Sequence, residues 1–157
     1  MHLLVEAASA RDLACGMKSI GARLARAVHR AFRSRGPVLA ERYHLHVLKT
    51  SREVRNALAY VLLNARKHWR ERHGVAPPVR LDAASSAACF DGWRTTGQAL
   101  AELRAPPEAA EVARPRTWLL RAGWRRHGLI DPAEVPKVGR LRTTNGKHRS
   151  WLRRSEF

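Results

Sequence analysis

Acidic residues are scarce in this chain of 157 residues: 13 against 30 lysines and arginines, a net charge of +17 with histidine neutral. A molecule so unbalanced repels itself unless a polyanion lies close, and the partner it implies is nucleic acid. Lysine is scarce too, since 25 of the 30 basic residues are arginine. Arginine grips phosphates and guanine edges through a planar fork, which favours nucleic acid over a membrane surface. Cys15 and Cys89 are the two cysteines, far apart and with no second ligand at metal spacing. That excludes a disulfide framework and a zinc knuckle, and both are expected to be reduced packing residues. No run of 18 apolar residues exists, and no charged start leads into an apolar stretch with a small-residue cleavage site. A transmembrane helix and a signal peptide are thereby excluded, and the expected location is the cytoplasm. Aromatic residues make up only 6%, yet 45% of the chain is hydrophobic, enough for a core and against wholesale disorder.

Met1 to Glu6 reads as a short apolar strand. Ser9 and Asp12 resemble a capping box opening an amphipathic helix. Its apolar positions are Leu13, Met17, Ile20, Leu24, Val28 and Ala31, its basic side carries Lys18, Arg23, Arg26, Arg30 and Arg33, and Gly36 and Pro37 should end it. Val38 to Leu48 alternates in part and predicts a second strand. Thr50 and Glu53 form another capping box before a helix expected from about Ser51 to His73, with Val54, Leu58, Val61, Leu62 and Ala65 on its apolar face. Gly74, Pro77 and Pro78 close it. From Val75 the composition changes, with seven of the eight prolines beyond this point. The expected division is therefore residues 1–74 as a core and 75–157 as a basic extension. Leu119 to Arg126 predicts a short helix, and 141–157 a basic tail that folds only on a partner. The string Gly-Trp-Arg occurs at 92–94 and 123–125, too short to mark a repeat.

Asn56, Tyr60, Asn64 and His68 are spaced by four and form one polar column on the second helix. A phenol on a rigid helix can attack a phosphodiester, and Asn64, one turn on, can give an amide oxygen to a metal that polarises the phosphate. The competing reading is a surface tyrosine whose hydroxyl is satisfied by water. His2 is a candidate metal ligand or a plain strand histidine. His44 and His46, on one face of the predicted second strand, make a rival metal pair.

The runs MHLLVEA, RYHLHVLKTSREVRNALAYVLLNARKH and ARPRTWLLRAGWRRHG together resemble the single-tyrosine transposases of the HUH nuclease superfamily, of the kind associated with repetitive extragenic palindromes. The resemblance spans most of the chain and is carried best by residues 42–68. It implies Tyr60 as the nucleophile, and His2 and Asn64 as ligands of a divalent magnesium or manganese ion. His2 would match the second histidine of the family's pair. The family's first strand, helix, second strand and first histidine have no counterpart, so the chain is expected to be an N-terminally truncated member with an incomplete metal site. The implied reaction cuts single-stranded DNA, leaving a 5′-phosphotyrosine and a free 3′-hydroxyl, and supports transposition of a mobile element.

The expectation is thus an α+β fold, a partial ferredoxin-like sheet with two long helices and a mostly irregular or helical basic extension. DNA, single-stranded or hairpin, is the expected partner in a bacterial nucleoid, with homodimerisation left open and no membrane. Arg23, Arg26, Arg30, Arg33, Arg52, Arg55, Arg121, Arg125 and Arg126 would follow the backbone while Trp118 and Trp124 stack on splayed bases. Two competing readings are a catalytically dead DNA- or RNA-binding remnant and a basic structural protein of ribosomal or nucleoid type.

Overall fold

Three segments far apart in sequence close on one another around the indoles of Trp93 and Trp124. A computed structural model describes residues 2–39, 44–95, 100–101 and 112–136. Its helical elements are α1 (Ala10–Phe32), α2 (Ser51–Leu62), α3 (Asn64–His73) and the short α4 (Trp118–Arg121). Two 3₁₀ turns, η1 (Ser86–Cys89) and η2 (Gly123–His127), complete the order. The predicted tail at 141–157 and Tyr43 lie outside the described residues.

The expected ferredoxin-like sheet is not there. Among the described residues no strand forms, and the chain is mainly helical. Residues 2–6 and 44–48 form neither helix nor ladder. Alternating apolar residues specify a strand only when another edge stands beside them to take the backbone bonds, and neither segment has one. The one β contact described is an isolated parallel bridge between Trp93 and Ile130, closed by Arg94 N donating to Ile130 O at 2.8 Å and Ile130 N to Gly92 O at 3.0 Å.

The helix starts follow the sequence closely. Ser9 Oγ accepts from Asp12 N at 3.1 Å and donates to Asp12 Oδ2 at 2.7 Å. At α2 the capping box is complete: Glu53 N donates to Thr50 Oγ1 at 3.2 Å, and Glu53 Oε2 accepts from Thr50 N at 3.0 Å. Lys49 N gives that carboxylate a second backbone donor at 2.7 Å. The ends differ from expectation. Helix α1 stops at Phe32, where Arg33 already takes the left-handed conformation with φ 47°, three residues before Gly36, whose φ is also positive at 105°. The long second helix is two helices, broken where Leu63 leaves helical geometry at φ −114°, ψ 18°.

Helix α1 buries none of its residues. The core instead belongs to Val54, Leu58, Ala59 and Leu62 of α2, Leu63 at the break, and Leu81, Ala87, Trp93, Trp124 and Ile130. Residues on both sides of the composition shift at 75 therefore supply one core. Each indole N–H inside it finds a carbonyl, Trp93 Nε1 donating to Ala87 O and Trp124 Nε1 to Leu120 O, both at 3.1 Å. The two Gly-Trp strings owe their glycines to this packing. A Cβ on Gly92 would overlap the Trp124 and Phe90 rings, and one on Gly123 would lie 2.6 Å from Trp118. Val61 is half-buried and Ala65 is exposed, so the expected apolar face holds in part. Cys15 and Cys89 are exposed and form no disulfide, which corrects their reading as packing residues.

Buried cations tie the segments together. Arg55 forms a fork with Glu134, Nη1 to Oε1 and Nη2 to Oε2 at 2.8 Å each, and reaches Leu129 O at 3.3 Å. Arg66, 5% exposed, donates to Pro78 O at 2.7 Å and Ala133 O at 3.3 Å. Burial pulls its guanidinium below the ordinary arginine range.

Candidate functional site

Tyr60 sits half-buried in the last full turn of α2, and Asn64 opens α3 one turn beyond it. The break at Leu63 falls between them. Asn64 Oδ1 is buried and has no hydrogen-bond partner. A carbonyl oxygen removed from water without a donor costs free energy, so this atom marks a place where a donor or a cation would be welcome.

His2 arrives from the other end of the chain. Its ring meets Tyr60 edge-on, centroids 4.9 Å apart and planes at 80°. What delivers it is Glu6, whose carboxylate accepts from Arg116 N at 2.7 Å and from Thr117 N at 2.9 Å, with the Thr117 hydroxyl also donating to it. These are N–H groups at the start of α4, so an anionic side chain suits them. Desolvation by itself would raise the Glu6 pKa. The Thr117 hydroxyl and the two backbone donors outweigh it and hold the carboxyl below its ordinary range. Burial, then the positive N-terminus, His68 and Lys67, lowers the His2 pKa below 6.5, which favours the neutral ring with a lone pair to offer.

Lys67 is the site residue that sequence reasoning missed. Its side chain is 3% exposed, its Nζ lies 5.3 Å from the centre of the Tyr60 ring, and Glu71 holds it at 3.2 Å. His68, the last member of the polar column, donates from Nδ1 to the other oxygen of Glu71 at 3.2 Å. Asn56 is exposed. The only available signal for Lys67 was its place seven residues after Tyr60, two turns along one face, and the string NARKHWRERH otherwise reads as solvated.

Of the ligands that the resemblance implies, His2 offers a ring nitrogen and Asn64 an orphaned amide oxygen. His44 and His46 are both exposed, and among the described residues no group of three or more His, Cys, Asp or Glu could hold a metal.

The residues expected to bind DNA separate into two sets. Arg23, Arg26, Arg30 and Arg33 on α1, Arg52 on α2, and Arg121 and Trp118 on α4 are exposed. Trp118 carries Arg126 over its ring at 4.9 Å. The second set is held in the fold. Trp124 is 1% exposed and offers no face to a base, and Arg55 is clamped by Glu134; Arg125 stays at the surface, where it pairs with Asp91 at 3.0 Å and lies over the Trp124 ring. Tryptophan and arginine in one short string read alike, whereas the 3₁₀ turn sends Trp124 inward and Arg126 out.

Compared with known protein families, curated proteins and solved structures, the chain has no match in any of the three. Among the described residues no helix is long and apolar enough to cross a membrane.

Proposed function

We propose that this chain is a DNA-binding protein of the single-tyrosine transposase type, which acts on single-stranded or hairpin DNA in the bacterial nucleoid through Tyr60. The observation that carries the reading is the meeting of His2 with Tyr60, 58 positions on in sequence, together with an unpartnered Oδ1 on Asn64, one helical turn beyond that tyrosine. Packing alone gives no reason to leave a buried amide oxygen without a donor one turn from a half-buried phenol.

In the proposed reaction the Tyr60 phenol oxygen attacks the phosphorus of a phosphodiester. The bond from phosphorus to the 3′ oxygen breaks, a 5′-phosphotyrosine forms, and the phenol proton is lost as the leaving 3′ oxygen gains one. A magnesium or manganese ion held by His2 and Asn64 would draw negative charge from the phosphate. Lys67 is a fixed cation beside the ring, where charge develops as the proton leaves. The lowered His2 pKa favours the neutral ring, available as a ligand.

A second reading, a DNA-binding protein that has lost cleavage, is favoured by the same Lys67, whose ammonium repels a divalent ion placed beside Tyr60. The two are separated by incubating the protein with a labelled hairpin oligonucleotide and manganese, followed by a denaturing gel. The wild type is expected to give a covalent adduct and Tyr60→Phe none, with equal binding by both. Equal adduct from both variants, or none from the wild type, contradicts the nuclease reading.

A further inference from the structure

A separate place on the molecule is shaped for a nucleotide. Helix α4 and the residues before it form an open cleft of 490 Å³ lined by Arg116, Trp118, Arg121 and Ala122. That volume lies within the roughly 300–1,000 Å³ typical of small-ligand sites. Trp118, Arg121 and Ala122 stand three and four apart and share one helix face. The indole is 53% exposed, the most exposed of the described tryptophans: Trp69 is 46% exposed and has the His73 ring against it, and Trp93 and Trp124 are buried.

The ring is held in place while it is exposed. Gly123 lies against it, since a Cβ there would come 2.6 Å from its Cζ3, and Arg126 sits over it at 4.9 Å. Gly123 and Arg126 are three apart in the 3₁₀ turn η2, where such residues eclipse each other on one side. The indole is therefore a platform backed by η2. Two arginines, Arg116 and Arg121, both exposed, line the same cleft. The neighbouring carboxylate, Glu6, is occupied by the Arg116 and Thr117 amides and the Thr117 hydroxyl.

We infer that the Trp118 cleft binds one unpaired nucleotide of a DNA strand, its base stacked on the indole and its phosphates held by Arg121 and Arg116. An exposed, backed aromatic beside cations is what single-strand recognition requires, because every base has a π-face and every linkage a negative charge. A duplex cannot use the cleft, since its bases are already stacked. This inference rests on the reading of the chain as a single-strand DNA binder, and it is independent of the chemistry at Tyr60.

The test uses the full chain carrying Tyr60→Phe, so that no cutting occurs, and a fluorescent DNA hairpin with a short single-stranded overhang that fixes the register. Abasic sites are placed at each overhang position in turn, and affinity is read by anisotropy. One abasic position is expected to weaken binding about tenfold, the range of one base on one aromatic ring. Trp118→Ala is expected to weaken binding to the intact overhang by the same factor and to abolish the abasic effect, while Trp118→Phe retains most of both. A blunt linear duplex should bind all variants alike, and an overhang of ribonucleotides should bind no more tightly than DNA. Parent-like binding by Trp118→Ala, or losses that simply add, overturns the cleft. A Trp118-dependent preference for the RNA overhang overturns its assignment to DNA. If the cycle holds and the wild type never forms an adduct, the nuclease reading falls and the nucleotide cleft stands.

Discussion

Arg55 and Glu134 show how a single pair can decide where a cation belongs. The fork of two 2.8 Å bonds, partly shielded from water, is the geometry in which guanidinium and carboxylate reinforce one another. The hydrogen bond to Glu134 holds Arg55 above its ordinary range, and the same bond holds Glu134 below its own despite partial burial. A carboxylate whose pKa is lower folded than unfolded binds fewer protons in the native state. Its stability is present above the unfolded pKa of about 4.3 and is lost as pH falls through the depressed folded value. Glu134→Gln is expected to cost about 2 kcal/mol at pH 7, the range for a hydrogen bond to a charged group, and to lose that difference below about pH 4. Urea titrations at pH 7 and pH 3 check both halves. The sequence places Arg55 among the nucleic-acid contacts because Glu134 lies 79 residues away, and nothing local reveals the pairing. Arg66 and Lys67 were illegible for a similar reason. They occupy a string of charges that reads as solvent-facing, and the carbonyls of Pro78 and Ala133 that receive Arg66 come from distant loops.

At the scale of elements, what is set by neighbours in sequence was readable. The Ser9 cap of α1, the capping box of Thr50 and Glu53, the start of α2 and the column from Tyr60 to Asn64 follow from spacing within one or two turns; at α1 the box is half-formed, since the Asp12 carboxylate meets the Ser9 hydroxyl instead of its backbone N–H. The strands were not readable, because an apolar alternation at 2–6 or 44–48 is also satisfied by an irregular segment lying on a helical core, as Leu4 and Leu48 do here. The segment carrying His2 is held instead by Glu6 at the start of α4. Glu6→Gln replaces a charged acceptor with a neutral one at three donors, so the anchor should loosen without unfolding the core. The expected result is faster hydrogen exchange at the Arg116 and Thr117 amides, unchanged exchange in α2, and an adduct yield at Tyr60 reduced several-fold. Parent-like exchange at both amides would show that Glu6 does not hold this segment. The ends of α1 and the break at Leu63 were also hidden, since the left-handed Arg33 and the kinked Leu63 carry no glycine or proline to announce them.

For the whole molecule, the charge of +17 is divided between cations that hold the fold and cations that face outward. Helix α1 belongs to the second group: it buries no residue, and Arg23, Arg26 and Arg30 are exposed along it. If these three each neutralise one phosphate, replacing them together with glutamine should flatten the plot of log affinity against log salt by about 2, from about 0.7 per phosphate contact on a single strand. Thermal stability should stay within about 0.5 kcal/mol, because no core contact is removed. An unchanged salt slope would place the DNA elsewhere.

The central claim is that the Tyr60 oxygen, with His2 beside it and Asn64 one turn on, becomes joined to a DNA 5′ phosphate. Its most direct measurement is mass spectrometry of proteolytic peptides after reaction with a hairpin oligonucleotide and manganese. The account predicts a nucleotide-bearing peptide whose fragments put the added mass on Tyr60, lost in Tyr60→Phe and strongly reduced in His2→Ala and Asn64→Ala. Attachment at any other residue, or an unmodified Tyr60 peptide under conditions where the DNA is bound, would contradict it.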